Sequence, residues 1–240
     1  MTDQAERRTY LSEHLDQVRD RLRSACAAAD RDAGDVTLLP VTKFFPASDV
    51  ALLHDLGCTA FGESREQDAS PKVAEIGTDG VQWHMIGRLQ RNKAKAVAVW
   101  AHSIHSVDTD RLVTALGKAV ATACDDGART TDLDVYVQVS LDGDTHRGGV
   151  DRDELEALTD QVASTARLRL AGLMAVPPLD ADIDAAFADL QNLHATILRS
   201  HPDAVGLSAG MTGDLESAVR HGSTCVRVGT AILGPRPITS

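Results

Sequence analysis

Residues 37–48 read TLLPVTKFFPAS. Thr37 to Thr42 make a mostly apolar run of strand length, Lys43 ends it, and Phe44, Phe45 and Pro46 turn the chain into a helical pattern over 47–56. A buried strand that passes through a tight turn into a helix is the repeating unit of parallel α/β folds. The unit recurs along the chain. Further strand-like runs lie at 58–61, 81–86, 103–107, 133–139, 168–173, 204–207 and 224–228, separated by helical patterns at 64–76, 90–99, 109–126, 151–165, 181–199 and 212–221.

An extra helical pattern over 5–33, carried by Leu11, Leu15, Val18, Leu22 and Cys26 and stopped near Gly34, precedes the first strand. Eight strands alternating with seven helices, plus this N-terminal helix, predict an α/β protein with a closed (β/α)8 (TIM) barrel. The first helix then packs where the last is missing. A doubly wound open sheet shares the alternation and is the competing architecture. No Pro-, Gly- or Ser-rich linker interrupts the pattern, so a single domain over 1–240 is expected.

The 240 residues are 43% hydrophobic and 25% charged, which excludes disordered and fibrous classes. A net charge of −11 repels polyanions, so neither nucleic acid nor an anionic membrane is an expected partner. One basic cluster, Arg88, Arg91, Lys93 and Lys95, reads either as a solvated helix start or as a partner site. The opening MTDQAERRTY lacks an apolar segment with a small-residue cleavage site, and no run is long enough to span a bilayer, so a cytoplasmic location is expected. Cys26, Cys58, Cys124 and Cys225 lie far apart without CxxC spacing and read as reduced thiols.

In a barrel of this kind the chemistry sits at the C-terminal strand ends, and the loops after strands seven and eight often hold phosphate. Lys43 then stands at the end of strand one. Desolvation there lowers its pKa and frees the amine to attack a carbonyl; the competing reading packs its stem on the rim with its head in water. After strand seven, LSAGMTGDLESA offers Ser208, Gly210 and Thr212 ahead of a helix, with Asp214 in its first turn; after strand eight, VGTAILG offers Gly229 and Thr230. Arg227 shares the inward face with Gly229 by strand alternation. Its acceptor is either a ligand's ring nitrogen or carboxylate, or a barrel carboxylate such as Glu63. His84 is a ligand-facing ring or a buried structural one. His102 and His105, three apart on a strand, point to opposite faces, so no metal site is expected. Arg147 in THRGG (145–149) reads as an anion-contacting loop or an ordinary turn.

The blocks VTKFFP, FGESREQD, VQWHMIGRLQRNK, GLMAVPP, LSAGMTGDLESAVRHGST and VRVGTAILGPR, in this order over nearly the whole chain, resemble the pyridoxal phosphate homeostasis protein family, single-domain relatives of the alanine racemase barrel. The resemblance implies a barrel holding pyridoxal 5′-phosphate (PLP), the vitamin B6 cofactor, as a Schiff base on Lys43. Ser208, Gly229 and Thr230 are implied to hold the phosphate with backbone help around Gly210 and Met211, Arg227 to face the pyridine nitrogen, and His84 to lie close to the ring. Two positions depart from the family pattern: Ser64 stands where Asn is usual, and Arg147 where a lysine is common.

Racemisation needs the pyridine as an electron sink and an acid/base on each face of the substrate carbon. Arg227 opposite the ring nitrogen weakens the sink. Fold-related racemases draw their second base from a partner subunit's tyrosine and carry a further β domain. Here the only tyrosines are Tyr10, in the first helix, and Tyr136, within strand five, and the sequence runs to Ser240 soon after strand eight. The expectation is therefore a monomeric protein that binds, buffers and delivers PLP, with PLP-dependent apo-enzymes as partners and no robust catalysis; a weak PLP-dependent amino-acid racemase is the alternative.

Overall fold

In the computed structural model, residues 2–178 and 180–236 are described; residues 1, 179 and 237–240 of the expected 1–240 domain lie outside them. Apolar runs of three to seven residues become strands β1 (Thr37–Pro40), β2 (Ala60–Glu63), β3 (Gln82–Met85), β4 (Ala101–Val107), β5 (Leu133–Gln138), β6 (Leu168–Met174), β7 (Gly206–Ser208) and β8 (Cys225–Val228). The helices are α1 (Thr2–Ala28), α2 (Ala47–Asp55), α3 (Glu66–Ile76), α4 (Ala94–Trp100), α5 (Asp110–Asp125), α6 (Arg152–Ser164), α7 (Ile183–Ser200), α8 (Leu215–Arg220) and α9 (Thr230–Leu233).

Every strand pair is parallel, in the order β1-β8-β7-β6-β5-β4-β3-β2. A parallel bridge between Val41 and Gly62 joins the two ends of that order and closes the sheet. The fold is a (β/α)8 TIM barrel, and the closing bridge rules out the open sheet. The N-terminal helix α1 packs against α8 and α9, completing the outer ring as expected. The short α9 after β8 adds an element that the alternation did not predict.

The end of α1 and the pairing of β4 differ from the sequence reading for local reasons. Helix α1 ends at Ala28, well before Gly34, because Asp30 adopts a left-handed conformation (φ 54°). Arg31 N–H then reaches Cys26 O (3.0 Å) and Asp30 N–H reaches Ala27 O (3.3 Å), the paired bonds that terminate a helix. In β4 the partners of Trp83 and His84 are Ala101 and Ser103, so His102 is an extra, bulged residue.

The main core lies between the sheet and the helices. On α5, for example, Leu112, Val113, Leu116 and Val120 form one buried face. Inside the barrel the apolar filling is small: Leu39, Ala60 and Cys225, with Ile86 against them. Met174, in register with the inward Ser208, is also buried there, and much of the remaining interior carries polar side chains. Gly206 on β7 leaves room for Tyr136 of β5, since a methyl group there would lie 2.6 Å from the Tyr136 ring.

The β1–β2 seam has a second tie. The Lys72 ammonium on α3 is 2.7 Å from Glu63 Oε1 and donates to Thr42 O at 2.8 Å, while Thr42 Oγ1 donates to Glu63 at 2.6 Å. Glu63 is wholly buried. Removing one partner of a buried ion pair strands the other charge. Lys72→Met should therefore lower the unfolding free energy by about 3–5 kcal/mol in urea denaturation; a loss below about 1 kcal/mol would show that the Glu63 carboxylate does not need its partner.

Candidate functional site

Beyond β1, Thr42 to Phe45 form a turn closed by Phe45 N–H to Thr42 O (3.1 Å). Lys43 is its second residue and is exposed. The expected desolvation of Lys43 is thus not present: the turn lifts the side chain out of the strand, and its Nζ lies 5.8 Å from the centre of the Phe44 ring. Phe44, third in the turn, has φ 72°, a region that glycine fills readily and a phenylalanine enters only under constraint. The Arg236 guanidinium stacks on that ring at 3.8 Å, and Arg65 lies at 5.8 Å.

The pairing of β1 with β8 sets Leu39 opposite Arg227 and Pro40 opposite Val228. Val41 N–H continues to Val228 O (2.9 Å), and the bare Cα of Gly229 faces Val41. The Lys43 turn therefore rises next to Gly229 and Thr230, whose side chain is exposed. Across β8, Arg227 N–H donates to Gly210 O (2.9 Å). Gly210 has φ 92°, and a methyl group there would sit 2.5 Å from the Ala218 side chain, so the approach of this loop to α8 requires glycine. Strand pairing thus gathers Lys43, Gly210, Arg227, Gly229 and Thr230 at the C-terminal mouth. Met211 is exposed and adjacent, but its amide donates to Asp214 Oδ1 (2.5 Å), an acceptor an incoming anion would have to displace.

Arg227 is 5% exposed and faces inward. Glu63 is taken by Lys72 and Thr42, so the alternative pairing of Arg227 with Glu63 is not formed. Instead Nη1 donates to Ser208 Oγ (2.7 Å) and Nη2 to Ala175 O (3.0 Å), both neutral. Ser208 is wholly buried, and its hydroxyl also meets His105 Nδ1 at 2.8 Å. Since β4 and β7 are not neighbours, this contact crosses the barrel interior. Ser208 is therefore engaged below the mouth, and its side chain supports Arg227 in this structure rather than standing free for a phosphate.

His84 is buried behind the same network: its Nδ1 is 2.7 Å from Ser103 Oγ and 3.1 Å from His105 Nε2. The bulge in β4 overturns the expectation that His102 and His105 point to opposite faces. Both rings flank His84, with centroids 5.4 and 5.3 Å away. His102 also lies 3.7 Å from Asp134, which pairs with Arg169. Arg147 is bound to Asp142 and Asp144 of its own loop, an ordinary self-contained turn. In the basic cluster, Lys93 pairs with Glu66 (2.8 Å), and Arg88, Arg91 and Lys95 are exposed at the approach to α4.

The sequence reading missed Ser103 as a partner of the site, the placement of His105 against Ser208, and the Phe44–Arg236 stack. Period-two alternation in SIHSV, which puts Ser103 and His105 on one face, was the available signal for the first two. The stack joins two distant segments and leaves no local signal.

Burial holds the His84 ring at about 3, with His102 adding to the effect. Burial also keeps His105 well below the ordinary range, helped by His84, Arg227 and His102. In the unfolded chain these rings titrate near 6.5. As the pH falls below that value the unfolded state takes up protons that the folded state refuses, so stability complete above about 6.5 is lost progressively toward about 3. Each ring contributes a slope of up to about 1.4 kcal/mol per pH unit. Urea denaturation at pH 7 and pH 5 should show His105→Asn losing less stability than the wild type by roughly that slope; equal losses would show that His105 is protonated in the fold.

Residues 14–237 match the family model of the alanine racemase N-terminal domain. The chain is 53% identical over 248 residues to a Mycobacterium tuberculosis protein named pyridoxal phosphate homeostasis protein, covering 98% of this chain and 96% of that one. It is 35% identical over 232 residues to the Escherichia coli protein of that name, covering 94% and 97%. Among solved structures it is similar to PipY of Synechococcus elongatus with PLP bound (TM-score 0.79, 31% identity, 93% of this chain and 100% of that one). An alanine racemase from Corynebacterium glutamicum shares the fold (TM-score 0.68, 16% identity, 94% and 63%). By the family match and the near-complete coverage of these relatives, the chain belongs to the pyridoxal phosphate homeostasis proteins, within the alanine racemase N-terminal domain family.

Proposed function

We propose that this protein binds PLP at the C-terminal mouth of the barrel and serves intracellular PLP homeostasis by holding, buffering and delivering the cofactor. One observation carries the reading: Arg227 is a buried guanidinium with only neutral partners, one strand pairing away from the turn that presents Lys43. A buried cation without a carboxylate fits a ligand that brings an acceptor. The names of the relatives and the PLP bound by PipY support the same ligand.

When bound, PLP supplies an aldehyde that an amine captures and a pyridine ring that withdraws electrons. Lys43 is the amine for the aldehyde, and its exposure leaves it free to take the cofactor up and release it. Gly229, Thr230 and the backbone at Gly210 and Met211 hold the phosphate, with Ser208 acting through Arg227. Arg227 donates to the pyridine nitrogen and keeps a proton off it. His84 would stand behind the bound cofactor, linked to Arg227 through His105 and Ser208.

An unprotonated pyridine is a poor electron sink, which favours a carrier over a racemase. The tyrosines support this choice. Tyr10 stacks on His14, its hydroxyl beside Gly234, and Tyr136 lies against His105 inside the barrel with its phenol pushed up by burial. Neither is presented as a second base. A cytoplasmic monomer that hands PLP to apo-enzymes completes the proposal; no described helix is long and apolar enough to cross a membrane.

Incubation with PLP, borohydride reduction and peptide mapping should place the pyridoxyl label on Lys43. Lys43→Ala should lose the label with stability unchanged within about 0.5 kcal/mol, as for an exposed side chain. A label on another lysine overturns the assignment. Arg227→Met should weaken PLP retention at least about tenfold, the loss of a charged donor to a buried acceptor; unchanged affinity removes Arg227 from the site.

A further inference from the structure

The polar contacts inside the barrel form one chain whose direction is fixed at one end. Arg227 can only donate. Its Nη1–H therefore makes Ser208 Oγ an acceptor (2.7 Å), and the serine proton must go elsewhere. Two groups adjoin it: the Cys225 thiol, a weak acceptor, and His105 Nδ1 at 2.8 Å. The imidazole nitrogen is the stronger acceptor, so His105 carries its proton on Nε2. That N–H faces Ser103 Oγ (2.9 Å) and His84 Nδ1 (3.1 Å). Ser103, accepting from His105, donates to His84 Nδ1 (2.7 Å), which puts the His84 proton on Nε2. The opposite tautomer of His84 would point an N–H at the N–H of His105. Both constraints give the same answer. The chain ends at His84 Nε2, buried and without a partner among the described residues.

We propose that His105 is a positioning residue: by accepting the Ser208 hydroxyl proton it fixes Ser208 as an acceptor for Arg227, so that the remaining guanidinium N–H groups are left for the ligand. With the barrel mouth read as the PLP site, the consequence is that two neutral histidines on β3 and β4 set the direction of the donor facing the cofactor's ring nitrogen. Without His105 the Ser208 hydroxyl is free to rotate, and Arg227 loses one of its two fixed points. The Tyr136 ring, 4.3 Å from that of His105, holds the imidazole plane from the side.

The direction is read without any cofactor. Long-range proton–nitrogen NMR of the intact protein labelled with ¹⁵N-histidine, assigned with His84→Gln and His105→Asn, should show both rings neutral at pH 7 with Nδ1 bare and Nε2 protonated. A protonated Nδ1 on either ring overturns the chain. The positioning role is read with PLP added. His105→Asn, whose side-chain oxygen replaces Nδ1 as acceptor, should keep the visible absorption maximum and stay within about twofold of wild-type affinity. His105→Leu should displace the maximum and bind about tenfold more weakly. If the leucine variant does not fold, the asparagine variant decides alone: wild-type spectrum and affinity support the role, and a spectrum displaced with the fold intact overturns it. A folded leucine variant with wild-type spectrum and affinity also overturns the role. If the wild-type protein itself takes up no PLP, the assignment of the mouth fails, while the NMR result still decides the hydrogen-bond direction.

Discussion

The Lys72 ammonium at the β1–β2 seam is the contact on which the site depends. Seven of the eight junctions around the barrel are made by strand ladders, whereas the eighth rests on the Val41–Gly62 bridge. Lys72 binds Glu63 of β2 and the carbonyl of Thr42 at once, so one side chain from α3 clamps both strands at their C-terminal ends. Lys43 is the next residue after Thr42. The position of the Lys43 turn is therefore set by a charge pair the sequence presents as an unremarkable lysine in a helix.

The barrel interior tells a related story about charge. A barrel of this size is commonly filled by layers of branched apolar side chains, but here a small apolar plug is accompanied by serine, histidine, tyrosine and arginine side chains. That composition satisfies the Arg227 guanidinium without a carboxylate. A carboxylate would neutralise the guanidinium and compete with an incoming acceptor. Hydroxyls and neutral imidazoles satisfy its geometry while leaving its charge uncompensated. The same burial that keeps His84 and His105 neutral prevents them from adding positive charge beside Arg227.

Much of this was legible in the sequence. The alternation of short apolar runs with helical patterns placed all eight strands, and strand periodicity put Arg227 on the inner face. Lys43 stood out as a candidate because an ammonium at the end of an apolar strand is out of keeping with its surroundings. What escaped was anything depending on a partner from elsewhere in the chain. The bulge that turns His102 toward His84 comes from pairing with β3, and the engagement of the Ser208 hydroxyl comes from a contact across the barrel. Likewise, the exposure of Lys43 follows from the turn after it, whose conformation rests on Phe44. The end of α1 at Asp30 was missed for a different reason: glycine is the usual terminator, and an aspartate in the left-handed region is a less common substitute.

Phe44 also links the chain's last described residues to its first strand. Holding a phenylalanine at φ 72° costs about 1 kcal/mol or more, and the stacked Arg236 guanidinium offsets part of that cost. A glycine would take the same turn without strain, but it would have nothing for Arg236 to rest on. The stack therefore joins the turn bearing Lys43 to the segment after α9. That contact brings together residues 44 and 236, which stand 192 positions apart along the chain.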